Sequence, residues 1–262
     1  MNYINELVKV SINNYIAVLS LNNPPLNLIT LQMSSELRDT LHKIENDPNV
    51  KVVVIKGSGN KAFSAGADIK EFPEVWDDVI GKKLMNENLA IDDIELLEKP
   101  VIASIEGNAL GGGCEIAMAC DIRVIGESSK IGCPEINLGV FPGSGGLYRL
   151  ARLVGIAKAY EMLYLGEIIS AAQALEIGLV NKITEDGKAE EEAIYLAKRI
   201  AEKPTAAIKL IKRGVRELWQ KETENIFRKN LEFSKEIFKT KDCAEGVDAF
   251  INKREPQFGK DE

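Results

Sequence analysis

Two glutamates and two glycine-rich stretches hold the chemical content of this sequence. Glu115 directly follows Gly111-Gly112-Gly113, and Glu135 sits within Lys130-Ile131-Gly132-Cys133-Pro134-Glu135-Ile136-Asn137-Leu138-Gly139. The stretches Ala62-Phe63-Ser64-Ala65-Gly66-Ala67-Asp68-Ile69-Lys70 and Gly107-Asn108-Ala109-Leu110-Gly111-Gly112-Gly113-Cys114-Glu115 each follow a β-branched apolar run. Small residues at the end of a strand let backbone N–H groups reach a ligand without side chains intervening. Two such turns aimed at one point can hold an oxyanion, and carboxylates beside them can move protons. Each acid also has a plainer account. Glu115 suits a helix start on dipole grounds alone, and Glu135 reads as an exposed acid after a turn proline. The glycine clusters beside both, in a chain whose one histidine is His42, shift the reading toward function.

Other motifs carry less. Gly57-Ser58-Gly59-Asn60-Lys61-Ala62 satisfies the dinucleotide fingerprint nominally, but that fingerprint needs a helix to begin inside it. Here the chain continues through Phe63 to Gly66, a second loop. Ala62 to Gly66 also resembles a degraded nucleophile elbow, which requires a histidine after the serine. His42 precedes Ser64 and falls off the apolar stripe of its own helix, so it reads as a surface residue and a histidine triad or metal site has no support.

The elements that must position these residues are legible in outline. Ile16–Leu21, Val52–Ile55, Val101–Ile105 and Ile122–Ile125 read as strands; the second and third are nearly all apolar, as expected of strands buried on both faces. Met33, Leu37, Leu41 and Ile44 mark a helix with Thr30 as N-cap and Asp47-Pro48 as its stop. A short buried helix is expected from Glu115 onward, giving the order strand, turn, helix, strand and an α/β layering with loops at the carboxyl ends of strands. Phe72 to Lys99 reads as loosely packed helices, a candidate lid. Beyond about Ser170 helices dominate: Ala171 to Ile177, Ala189 to Ala201, Thr205 to Leu218, and Glu222 to Phe238.

A chain of 262 residues with 45% apolar content can bury a full core. Its formal charge of -7 argues against nucleic acid or an anionic membrane surface as partner, so an anionic ligand needs a local basic patch. Cys114, Cys120, Cys133 and Cys243 form no C-x-x-C pair and have no histidine nearby; free thiols in a reducing compartment are expected. The opening residues have neither signal nor transit character and no run reaches membrane-spanning length, so the expected location is cytoplasmic.

Taken together, AFSAGADIKEF, GNALGGGCEIAMACD and the PEINLGVFPGSGG run resemble the enoyl-CoA hydratases of the crotonase superfamily, over nearly the whole chain. The resemblance implies a crotonase (ClpP-like) α/β fold: a repeated ββα superhelix over 1–200 holding the CoA site and active site, and a helical oligomerisation region over 201–262 that gives a trimer or a pair of trimers. It implies reversible addition of water across the 2,3-double bond of an enoyl-CoA thioester. Glu115 and Glu135 become the acid–base pair and the N–H groups of Ala67 and Gly112 an oxyanion hole. Gly143 falls near the water, and Leu26, Leu28, Ala65, Asp68, Ile69 and Lys70 along the CoA. No metal and no cofactor beyond the CoA of the substrate is implied. Isomerases or dehydratases of branched, cyclic or carnitinyl acyl groups stand as alternatives in the same fold, and a non-catalytic acyl-CoA scaffold as one in another class. Leu147-Tyr148 replaces the Thr-Gln of typical hydratases, which sets a large aromatic near the expected pocket wall and points away from a simple straight chain.

Overall fold

The computed structural model describes residues 2–258; residues 1 and 259–262, and with them the end of the expected 201–262 region, lie outside the described residues, as do the side chains of 2–4 and 218–227. In chain order the strands are β1 (Asn2–Ile4), β2 (Val8–Asn13), β3 (Ile16–Leu21), β4 (Val52–Gly57), β5 (Ala62–Ser64), β6 (Val101–Ile105), β7 (Asn108–Leu110), β8 (Ile122–Gly126), β9 (Lys130–Gly132), β10 (Ile168–Ser170) and β11 (Lys182–Thr184). The helices are α1 (Leu31–Glu45), α2 (Phe72–Val75), α3 (Met85–Leu96), α4 (Gly112–Ala119), α5 (Gly146–Val154), α6 (Ile156–Leu165), α7 (Ala171–Glu176), α8 (Ala189–Ala201), α9 (Thr205–Ile237) and α10 (Lys241–Ile251).

Strands β4, β6 and β8 each lead through a tight turn into a strand of a second sheet, β5, β7 and β9, and then into helix. This is the expected ββα repeat. The larger sheet has the order β1-β2-β3-β4-β6-β8-β11, parallel from β3 onward. The smaller has the order β10-β9-β7-β5, with β9, β7 and β5 parallel. Because these three neighbours run the same way, the loops at their carboxyl ends emerge side by side. Those loops carry Ala67, Gly112 and Glu135.

Alternation sorts the central strands onto two cores. On one face Ile16, Val52, Val54, Ile102 and Val124 meet Ala189, Ala193 and Ala197 of α8, whose four-residue spacing of small side chains brings the helix close to the sheet. On the other, Leu19, Val53, Ile55 and Ala103 pack with Met33, Leu37, Leu41 and Ile44 of α1 and with Ile91 and Ile94 of α3. Thr30 caps α1, its hydroxyl accepting from the Met33 N–H at 3.1 Å. The four cysteines are free and buried. Among the described residues no helix is long and apolar enough to cross a membrane.

Three expectations need correction. The amino-terminal residues, read only for targeting signals, form a β1-β2-β3 meander whose Asn14 and Tyr15 turn at positive φ, 49° and 63°. The stretches Thr205 to Leu218 and Glu222 to Phe238 are one 33-residue helix, α9, there being no proline or glycine between them to break it. The chain beyond Ser170 is not all helix: it also contributes β11, which completes the larger sheet. The 72–99 stretch is packed in part: Phe72, Val75, Val79 and Leu84 are buried with Val247 of α10.

Candidate active site

The register of β5 against β7 places the two candidate donors. Ser64 pairs with Ala109, and Ala67 and Gly112 each lie three residues further along. A methyl group on Gly66 would stand 3.2 Å from the Gly112 nitrogen, and one on Gly112 would stand 3.7 Å from the Ala67 nitrogen, so the two amides are brought side by side. The bridge between Ile29 and Ala67 uses the Gly66 carbonyl and the Asp68 N–H, which leaves the Ala67 N–H off the ladder. Gly112 opens α4, where the first N–H groups have no intrahelical acceptor. Gly111 reaches this position at φ 54°, ψ -127°, a conformation available to glycine alone. Both amides are thus free to donate outward.

The acids come from the next elements. Glu115 lies in the first turn of α4 and is 3% exposed. Its Oε1 accepts from the Ser144 N–H at 2.8 Å and the Gly146 N–H at 2.7 Å. Burial pushes its carboxyl up to about 7; the Gly146 and Ser144 amides pull the other way, and the Glu87 charge adds to the rise. Arg149 braces that loop from behind, donating to the Ser144 carbonyl at 2.9 Å and to Asp92 at 2.6 Å. Glu135 opens the short turn Glu135–Leu138 after β9. A methyl on Gly111 would lie 3.2 Å from its Oε1, and its Oε2 is shut from solvent without a hydrogen-bond partner among the described residues. Burial, then the neighbouring Glu115, pushes this carboxyl well above the ordinary range. The pair therefore divides in character. Glu115 holds two donors from the neighbouring loop that favour its anion, whereas Glu135 has only its own backbone amide, outweighed by burial and the neighbouring Glu115.

One cavity of about 570 Å³ joins these groups. All the residues expected from sequence line it: Leu26, Leu28, Ala65, Ala67, Asp68, Ile69, Lys70, Gly112, Glu115, Glu135 and Gly143. Asn27, fully buried between the two leucines, donates to the Ala62 carbonyl at 2.8 Å and accepts from Asn23, which ties that loop to β5. Asp68 also caps the turn Ile69–Glu71, accepting from the Lys70 N–H at 3.1 Å. Lys70 itself is exposed at the cavity mouth. Leu84 from the 72–99 stretch and Ser234, Ile237 and Phe250 from α9 and α10 complete the wall.

Tyr148 departs from expectation. It is buried away from the cavity, its hydroxyl 3.4 Å from Asp92 and its ring between the guanidinium groups of Arg149 and Arg152, each 4.8 Å from the centroid. The Leu147-Tyr148 replacement thus leaves the pocket wall untouched. His42 lies on the surface, 3.4 Å from Asp93. Among the described residues no group of three or more His, Cys, Asp or Glu side chains is placed to hold a metal.

Sequence reasoning missed the amides of Ser144 and Gly146 that hold Glu115, and it missed Glu87, a third buried acid lining the cavity at 3% exposure. A signal for Glu87 existed. It precedes Ala90, Ile91 and Ile94 by three, four and seven residues, which is the phase of the buried face of α3.

Comparison with known proteins gives one consistent result. A family model described as Enoyl-CoA hydratase/isomerase matches residues 11–261. The short-chain-enoyl-CoA hydratase of Clostridium acetobutylicum is 40% identical over 91% of this chain and 92% of its own length. The crotonyl-CoA hydratase of Syntrophomonas wolfei is 37% identical over 93% and 94%. Among solved structures, a carnitinyl-CoA hydratase from Mycobacterium avium superposes with a TM-score of 0.85 at 30% identity, covering 98% of this chain and 99% of that one. An enoyl-CoA hydratase from Bacillus anthracis gives 0.79 at 36% identity, covering 96% and 98%.

Proposed function

The chain belongs to the enoyl-CoA hydratase/isomerase family, and from that premise we propose that Glu115, Glu135 and the amides of Ala67 and Gly112 together add water across the 2,3-double bond of an enoyl-CoA thioester. As an enoyl-CoA hydratase it is a hydro-lyase, and its substrate is an acyl-CoA. One observation supports the mechanism: Ala67, Gly112 and the two buried carboxyls of Glu115 and Glu135 line a single cavity.

The thioester oxygen accepts from Ala67 and Gly112, which polarises the conjugated double bond. A water between the acids gives a proton to Glu115 as its oxygen attacks C3; the π electrons move onto the thioester oxygen; Glu135 passes its proton to C2 as the enolate collapses. One hydrogen and one hydroxyl are added, and nothing is oxidised or reduced. Glu115 is the base because two N–H groups of the Ser144–Gly146 loop hold its anion ready, and Glu135 is the acid because burial and the neighbouring Glu115 favour its protonated form. Gly143, beside the loop that holds Glu115, leaves room for the water. The reaction so written uses only the chain's own groups. The same family reading gives a trimer or a pair of trimers, with Tyr160, Tyr164 and Leu165 exposed on α6 as apolar surface for copies to meet.

The test is crotonyl-CoA in ¹⁸O-labelled water. The expected product is 3-hydroxybutyryl-CoA labelled at C3, formed reversibly; a shifted double bond without label uptake overturns hydration in favour of isomerisation. A second expectation concerns binding. The formal charge of -7 opposes a polyanionic CoA at long range, so Lys70 supplies local attraction. Lys70→Ala is expected to raise the Kd for a CoA thioester several-fold at low salt, with the deficit shrinking as salt is added. A Kd unchanged at every salt concentration removes that role.

A further inference from the structure

The hydration chemistry needs one acid and one base, yet besides Asp68 at the turn Ile69–Glu71 the cavity is lined by a third buried carboxyl. Glu87 is 3% exposed and faces the cavity from the buried side of α3. Its Oε1 lies 3.7 Å from the position of a methyl on Gly112, which sets it beside the candidate donors. No hydrogen-bond donor among the described residues reaches it: burial, Lys83 and Glu71 act on it through space alone. Lys83 directs its ammonium to Glu71 Oε2 at 2.7 Å and toward the Ile29 carbonyl at 3.4 Å. Ser234 is 1% exposed and lines the same cavity, its Oγ 3.4 Å from the position of a methyl on Gly143. A leucine at position 87 would serve the core better than an unpartnered acid.

The partner of such a group must come from the ligand. An alkyl chain would leave Glu87 desolvated and unpaired, and a carboxylate on the chain would meet a cavity lined by several acids. A hydroxyl meets a carboxyl in either protonation state, donating to the anion or accepting from the acid, and the Ser234 hydroxyl can pair with it as well. We propose that Glu87 makes this site selective for enoyl-CoA thioesters whose acyl chain carries a hydroxyl beyond C3, an inference that rests on the hydratase reading above. Sites built to hydrogen-bond a substrate group reject analogues lacking it far more strongly than apolar pockets reject an extra methylene.

The experiment measures kcat/KM for two matched pairs, crotonyl-CoA against 4-hydroxycrotonyl-CoA and pent-2-enoyl-CoA against 5-hydroxypent-2-enoyl-CoA. Wild-type protein is compared with Glu87→Leu and the isosteric Glu87→Gln. The wild type is expected to favour the hydroxylated member of at least one pair by about tenfold or more. Glu87→Leu reverses that preference, and Glu87→Gln, which can still hydrogen-bond, keeps part of it. A wild type that favours the alkyl member of both pairs, or a Glu87→Leu variant that changes both members equally, overturns the inference and leaves hydration standing. Failure of the wild type to hydrate any of the four brings down the hydratase reading, and this inference with it.

Discussion

Glu135→Gln is expected to lower kcat by roughly 10²- to 10⁴-fold while binding a CoA thioester within a few-fold of wild type, because glutamine fills the same space and has no acidic proton to deliver to C2. Glu115→Gln should lose a comparable factor for the complementary reason, since an amide cannot take a proton from water. The pH profiles separate the two roles. Wild-type kcat/KM should be bell-shaped: it falls as pH drops below about 7, where Glu115 takes up a proton, and falls again at higher pH, where Glu135 loses its own. Glu135→Gln should abolish the alkaline limb of whatever activity remains. A flat profile in the wild type, or wild-type turnover in either variant, contradicts the assignment.

Stability should move the opposite way in Glu115→Gln. Burial raises the folded-state value of Glu115 from 4.5 to about 7, so its carboxyl contributes stability that is fully present below pH 4.5 and lost as pH rises through about 7. Replacing it with a neutral amide is expected to raise the unfolding temperature at pH 8, with the difference closing toward pH 4.5. A site that is more stable without its acid than with it holds that acid for chemistry.

The second large effect is expected at Gly112. Alanine there would place a methyl 2.9 Å from Ile29 Cδ1 and 3.7 Å from the Ala67 nitrogen, in the space the thioester oxygen needs. Both N–H groups survive the substitution, yet the oxygen can no longer reach both. Loss of one such donor costs about 3 to 4 kcal/mol of transition-state stabilisation, so kcat should fall by roughly 10²- to 10³-fold. The unfolding temperature should stay close to wild type, because the neighbouring atom is the end of a flexible isoleucine. A variant that unfolds normally and turns over at the wild-type rate would remove Gly112 from the mechanism.

Sequence pattern recovered the elements whose signals are local. Strands β3 and β6 and helix α8 match their expected limits, since β-branched runs, an alanine stripe and clean stops mark them without reference to anything distant. Helix α1 was legible from Thr30 and its four apolar positions. The β1-β2-β3 meander was harder to see because its turn is Asn14-Tyr15, with no glycine to flag the positive φ. Helix α9 was read as two because a change in composition looked like a boundary although no residue there breaks a helix. At the site, the motifs pointed to the residues that line the cavity from the strand ends and the start of α4, while the parts contributed by α3, α9 and α10 were lost. Glu87 passes for a solvated helix acid until its phase against Ile91 and Ile94 is counted. Tyr148 failed in the other direction: placement beside a glycine loop suggested the pocket, but the helical turn that follows swings its ring toward Asp92 and two arginines.

The register of β5 on β7 has a broader consequence. Adjacent strands stand about 4.8 Å apart whatever side chains they bear, and the loops that carry Ala67 and Gly112 start from that interval. On the proposed mechanism, recognition of the thioester is inherited from the sheet, as a permanent socket, whereas the acids are fittings on separate elements that can be exchanged one at a time. Such a scaffold can acquire a new reaction by a single side-chain change without rebuilding its grip on the common handle.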